Sequence, residues 1–177
     1  MGILKVARIG HPAIRRGARA LTDEELRSDA LQRLIDDMID TMKEYEGVGL
    51  AAPQVHLELR LAVIEVPEGD GREAVPLTVL VNPELERVGK EIVDGWEGCL
   101  SIPDLRGITP RARRVRVKAL DRELKPVVIE TAGFFARVLQ HECDHLDGKV
   151  YLDRMRDLSS LTYLQELERY GPPDDGE

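Results

Sequence analysis

The sequence predicts an α+β domain, with short strands between an early helix and a late one and a further helix near the C-terminus. Three observations carry this. A Thr-x-x-Glu capping box opens an amphipathic stretch early in the chain. Short β-branched runs separated by Gly- and Pro-containing turns fill the middle. A second long helical pattern, carrying His-Glu-x-x-His, comes late.

Residues 1–21 read as extended, broken at Gly10-His11-Pro12. Thr22 to Glu25 supplies the capping box, and the helix it opens runs to about Glu46. Leu31, Leu34, Ile35, Met38, Ile39 and Met42 lie on its apolar face, and Gly47 and Gly49 stop it. Leu59–Val66 and Leu77–Val81 are apolar strand-like runs. Arg113–Ala119 alternates strictly, with Val115, Val117 and Ala119 on one face and Arg114, Arg116 and Lys118 on the other. That is the pattern of a half-buried antiparallel strand. Pro126–Glu130 adds one more strand. The late helix runs from about Thr131 to Leu146, with Gly148 suited to its C-terminal cap. A last amphipathic helix covers about Leu158–Tyr170. Residues 1–171 thus make a single catalytic domain, and the acidic tail 172–177 is expected to be disordered.

Composition sets bounds. The chain has 177 residues, enough for one domain that buries roughly 70% of its unfolded surface. Its net charge of −8 argues against nucleic acid as a direct partner, because phosphate contacts need a basic face. With two Phe, one Trp and four Tyr, the core rests on Leu, Ile, Val and Ala. No run of 18 apolar residues and no signal-peptide pattern occurs, so no membrane association is expected and the predicted location is cytoplasmic. In that reducing setting the two cysteines, Cys99 and Cys143, read as ligand, catalyst or core rather than as a disulfide.

The chemistry concentrates in Gln140-His141-Glu142-Cys143-Asp144-His145. Two histidines four residues apart stand one helical turn apart and can share one metal ion. Glu142 lies about 100° round the helix from His141, where a general base belongs. Phe134, Val138, His141 and His145 share one stripe; Phe135, Leu139 and Leu146 lie on a core stripe. A hydrolytic site needs a third protein ligand and one open position. Asp144 and Asp147 are too local to supply it, and Cys143 points away into the core. Two options remain from the residues alone. Glu166 or Glu168 would complete a zinc endopeptidase, whereas Cys99, in the turn-rich Trp96–Ser101, would supply a thiolate. A non-catalytic, metal-stabilised binding module is the alternative from another class. A third segment, Gly47-Val48-Gly49-Leu50-Ala51-Ala52-Pro53-Gln54, lets backbone approach a ligand closely and offers an amide donor at Gln54.

Together these segments resemble the peptide deformylase family. Its three motifs, G-x-G-L-A-A-x-Q, E-G-C-L-S and Q-H-E-x-D-H, stand in order at Gly47–Gln54, Glu97–Ser101 and Gln140–His145. Gly10–Arg15 also resembles the family's N-terminal stretch, and the likeness covers about residues 4–155. It implies an α+β fold with antiparallel β-sheets around a central helix that carries His-Glu-x-x-His, and removal of the N-formyl group from the starting methionine of nascent polypeptides, met at the ribosome, with release of formate. It also implies Cys99 as third ligand beside His141 and His145. The metal would be one divalent ion, Fe²⁺ natively, with Zn²⁺, Ni²⁺ or Co²⁺ able to replace it. Glu142 would be the base, and Gln54 and the backbone N–H of Leu100 would stabilise the oxyanion. For substrate binding, Phe134 and Val138 are expected to shape the methionine pocket. Val48 and Gly49 would run along the peptide backbone, in the manner of an added strand. Gly98 and Arg106 would lie near the substrate, and Arg137 would sit at the pocket rim with its stem over apolar surface.

Overall fold

The computed structural model describes residues 2–69 and 73–171. The expected acidic tail, 172–177, lies outside the described residues. Five α-helices and eight strands follow in the order α1 (Pro12–Arg15), α2 (Asp23–Leu26), α3 (Asp29–Glu44), β1 (Gly49–Ala51), β2 (Leu61–Val66), β3 (Val75–Arg87), β4 (Ile92–Cys99), β5 (Ile102–Ala112), β6 (Arg114–Leu120), β7 (Pro126–Ala132), α4 (Gly133–Leu146), β8 (Thr162–Tyr163) and α5 (Leu164–Tyr170). Short 3₁₀ turns at Ala52–Val55 and Tyr151–Arg154 follow β1 and α4.

The strands form two antiparallel sheets, one ordered β1-β2-β3-β6-β7 and one ordered β4-β5-β8. The first is covered on both faces around β2 and β3. Leu61, Val63, Val79 and Val81 join Leu31, Ile35, Met38 and Met42 of α3 in one cluster. Ile64, Val66 and Leu80 join Ala136, Val138 and Leu139 of α4 in another, with Val115 and Val117 of β6. Burial on both faces is why these segments read as unbroken apolar runs. On β6 the alternation holds as expected: Val115, Val117 and Ala119 are buried while Arg114, Arg116 and Lys118 face outward.

Four differences from the sequence reading have physical causes. The early helix is two. Thr22 closes the capping box with Glu25, but α2 ends at Leu26, and Ser28 then caps α3 by accepting from the Leu31 N–H. The N-terminal stretch is not wholly extended, because Pro12 opens one helical turn capped by the His11 ring.

Residues 92–112 are a long hairpin, not a turn-rich connection. Its glycines read as turn signals but serve close packing. A Cβ on Gly95 would fall 2.8 Å from the Arg137 guanidinium, one on Gly98 2.4 Å from that of Arg106, and one on Gly107 2.7 Å from Met155. The final helix spans only Leu164–Tyr170, because Thr162 and Tyr163 pair with Arg106 and Leu105 as a short strand.

Candidate metal centre and active site

Two elements position the site. Helix α4 presents His141 and His145 one turn apart, and the end of β4 presents Cys99 beside them. Cys99 Sγ lies 3.2 Å from His145 Nε2, which lies 3.2 Å from His141 Nε2. The three donor atoms fall within 4.8 Å of one another, and they are the one such group among the described residues. Glu166 and Glu168 stand exposed on α5 outside it. The cysteine, not either glutamate, is therefore brought to the histidines.

Burial alone would raise the Cys99 thiol and lower the His141 imidazole. Their mutual charges and hydrogen bonds reverse both effects, holding Cys99 well below its ordinary value and His141 well above. Cys143, on the opposite face of α4, is buried 7% exposed. Its thiol is pushed up to about 12, chiefly by desolvation, as befits a core residue.

Around Cys99 the loops are tied together. Gln54 Nε2 reaches Cys99 Sγ at 3.5 Å and Ser101 Oγ at 3.2 Å, while its Oε1 accepts from the Ala51 N–H at 2.8 Å. The Ser101 N–H points at Cys99 Sγ at 3.4 Å. Leu100, between them, lines the cavity and packs against Gly47, where a Cβ would sit 2.8 Å from its side chain.

Glu142 is buried, and its Oε2 has no hydrogen-bond partner among the described residues. Burial raises its carboxyl, and the nearby histidine charges offset this only in part. Its Oε1 lies 2.3 Å from where a Gly49 Cβ would stand. The second glycine of the Gly47–Gln54 segment thus gives room to the enzyme's own carboxylate.

A cavity of about 1360 Å³ opens over this centre. Val48, Gly49, Gly98, Arg106, Phe134 and Val138, all expected near the substrate, line it. Arg106 donates only to its own neighbour's carbonyl, Leu105 O, and makes no ion pair among the described residues. Strand β1 is an edge strand with no strand on its side away from β2 among the described residues, although the Ala51 N–H is already taken by Gln54 Oε1.

Arg137 also lines the cavity, and its guanidinium is held there by Glu97 and by the backbone carbonyls of Val93, Gly95 and Thr109.

One functional residue escaped the sequence reading. Glu97 accepts from His141 Nδ1 at 2.9 Å, fixing which ring nitrogen faces Cys99. Both its oxygens also receive Arg111, at 2.9 Å each, and Arg137 adds a bond at 2.8 Å. Burial works to raise the Glu97 carboxyl, but the hydrogen bonds from Arg111 and His141 outweigh it and hold it far below the usual range. Arg111 bridges onward to Asp144, which also takes Arg154 at 2.6 and 3.0 Å. The position of Glu97 inside the Glu-Gly-Cys segment was the available signal; its partners lie 14 to 44 residues away and leave no local pattern.

The profile of the polypeptide deformylase family matches residues 3–160 of this chain. This chain belongs to that family. Peptide deformylase 1 of Bordetella pertussis is 43% identical over 165 residues, covering 92% of this chain and 93% of its own length. Peptide deformylase 2 of Pseudomonas putida is 41% identical over 168 residues, covering 93% and 94%. Among solved structures, the Met-Ala-Ser-bound class I type b peptide deformylase of Acinetobacter baumannii superposes with a TM-score of 0.82 at 37% identity, over 87% of this chain and all of its own. The Thermotoga maritima peptide deformylase gives 0.79 at 34%, over 89% and 100%. Family membership identifies the chain as a metal-dependent hydrolase of the deformylase class. No helix among the described residues is long and apolar enough to cross a membrane.

Proposed function

We propose that this chain removes the N-formyl group from the starting methionine of nascent polypeptides in the cytoplasm, acting on chains as they leave the ribosome, and that Cys99, His141 and His145 hold its metal. The observation that carries the reading is the convergence of one sulfur and two imidazole nitrogens within 4.8 Å, with Glu142 buried beside them and its Oε2 unpartnered among the described residues. The donor set fits a divalent ion. It has three protein ligands, includes a soft thiolate, and has no fourth side chain among the described residues, which leaves a position for water or substrate. A thiolate with two imidazoles suits Fe²⁺ and also admits Zn²⁺, Ni²⁺ or Co²⁺. When bound, the ion lowers the pKa of a coordinated water and polarises the formyl oxygen.

The remaining steps belong to the chain's own residues. Glu142, its carboxyl raised by burial, takes the proton from the attacking water and returns it to the departing amine. The Gln54 side-chain amide and the Leu100 backbone N–H stabilise charge developing on the formyl oxygen; one such donor is typically worth about 3 kcal/mol. Glu97 holds His141 in one orientation. Val48 and Gly49 pair with the peptide backbone along the open edge beside β1, Phe134 and Val138 enclose the methionine side chain, and Arg106, against Gly98, faces the peptide.

Metal-loaded protein is expected to release formate from formyl-Met-Ala-Ser, and metal bound without release would overturn the enzyme reading. Cys99→Ala is expected to purify with less than stoichiometric metal, while Glu166→Ala and Glu168→Ala retain it. Retained metal in Cys99→Ala would remove the thiolate from the ligand set.

A further inference from the structure

The amide of Gln54 has a partner that the mechanism above leaves unused. A side-chain amide carries two N–H groups and one carbonyl oxygen. Gln54 lines the cavity but is only 1% exposed, and each of its polar atoms is engaged. Its Oε1 accepts from the Ala51 N–H at 2.8 Å, which fixes which end of the amide is nitrogen. Nε2 donates to Ser101 Oγ at 3.2 Å and to Cys99 Sγ at 3.5 Å. That sulfur lies 3.2 Å from His145 Nε2, so the second N–H faces the metal centre. Ser101 has 0% exposure and is out of a substrate's reach. Its backbone is braced without help from its side chain. The Ser101 carbonyl accepts from the Ile9 N–H at 2.8 Å, and its N–H points at Cys99 Sγ at 3.4 Å. Two residues before Ile9, the Ala7 N–H donates to the Gln54 backbone carbonyl at 2.7 Å. One segment, residues 7–9, thus holds both backbones, and the contact that the Ser101 hydroxyl makes among the described residues is with Gln54 Nε2.

The two N–H groups are not equivalent. The one directed at sulfur makes a long contact and is available to a nearer acceptor on the substrate. The other is held by the serine oxygen. The terminal torsion of a glutamine is broad. With no acceptor at position 101, a buried N–H would lose its partner, and the amide would gain by turning to find another. An oxyanion donor acts at about 3 Å from the developing charge, so such a turn takes it out of place. From this, and resting on the deformylase reading above, we propose that Ser101 is a positioning residue: its hydroxyl takes one Nε2–H of Gln54 and thereby aims the other at the formyl oxygen. Ser101 acts through Gln54 and takes no part in proton transfer. Its place in the Glu97–Ser101 segment is thus explained by a residue 47 positions earlier in the chain.

The test is a double-mutant cycle on metal-loaded protein with formyl-Met-Ala-Ser, using Ser101→Ala, Gln54→Ala and the two together. Ser101→Ala is expected to lower kcat by about tenfold or more with KM within about twofold, because the aim of the donor counts in the transition state. In the Gln54→Ala background the same change is expected to cost less than about twofold, since there is no amide left to aim. Ser101→Thr keeps the hydroxyl and is expected to retain at least about threefold more of kcat than Ser101→Ala. Equal losses in both backgrounds, a threonine variant no better than the alanine one, or a raised KM with kcat unchanged overturns the proposal. A second measurement needs no turnover. In nitrogen–proton correlation spectra of the zinc-loaded protein, the Gln54 side-chain pair is identified by its absence from Gln54→Ala. One of its protons is expected to move upfield and to exchange faster with solvent in Ser101→Ala, and an unmoved pair overturns the proposal. If the unaltered protein does not hydrolyse formyl-Met-Ala-Ser, the deformylase reading fails, while the amide resonances still decide whether Ser101 holds Gln54.

Discussion

At the scale of single residues, the site separates the base from the ligands. Glu142 is not among the three converging donors, and its free oxygen is buried. Glu142→Gln keeps the shape and removes the proton acceptor. Hydrolysis is therefore expected to fall by about 10²-fold or more while metal content stays near one per chain, measured by formate release and elemental analysis. Activity near that of the unaltered protein would show that another group is the base. His141, Glu142 and His145 were legible in the sequence because His-Glu-x-x-His fixes their relative angles on any helix, whereas Cys99 could be chosen over Glu166 or Glu168 only through the family resemblance. Gly49 was legible only as a place of close approach. That its missing side chain makes room for Glu142, across 93 residues of chain, required the fold.

At the scale of elements, the site is a junction between helix α4 and the β4–β5 hairpin, and Glu97 is the hinge of that junction. Its two oxygens take bonds from Arg111 on β5 and from Arg137 and His141 on α4. Glu97→Gln removes the carboxylate partner of Arg137 and one of the two that hold Arg111. It is expected to cost about 3–5 kcal/mol by denaturant unfolding and to weaken metal affinity by about 10–100-fold by chelator competition. An unchanged metal affinity would show that His141 does not depend on Glu97 for its orientation. The hairpin itself was the element least legible in the sequence. Gly95, Gly98 and Gly107 carry the local signature of turns, whereas their reason is the bulk of Arg137, Arg106 and Met155 lying across them.

Tyr151, in the 3₁₀ turn after α4, shows the converse. Its ring stacks near-parallel to His141 at 6.4 Å, 18° apart, but its hydroxyl is buried with no partner among the described residues. Tyr151→Phe keeps the stack and removes the orphan. It is expected to be neutral or stabilising by up to about 1 kcal/mol, and a loss of more than that in Tm-derived stability would reveal a partner for the hydroxyl.

At the scale of the whole molecule, the buried charges decide how the fold responds to acid. The overall charge of −8 says little about this, because most of the acidic residues are on the surface. Glu97 and Asp144 are different. Together with Arg111 and Arg154 they tie the hairpin, α4 and the turn after it into one network. Burial works to raise the carboxyl of Asp144, but Arg154 and Arg111 outweigh it, so both carboxylates stay ionised below their ordinary range. The sign follows from linkage. In the unfolded chain these groups take up protons near pH 4, while in the native fold they do not. Their contribution is therefore present in full above about pH 4 and is lost as pH falls toward the native values. Metal-free protein is expected to lose Tm steeply below about pH 4. Added salt should change this little, because buried pairs are poorly screened. Asp144→Asn removes one of the two groups; it is expected to be less stable at neutral pH but to lose stability less steeply in acid. Thermal unfolding of both proteins from pH 7 to pH 2 at fixed ionic strength checks this, and equal slopes in acid would place the acid sensitivity in the surface carboxylates instead.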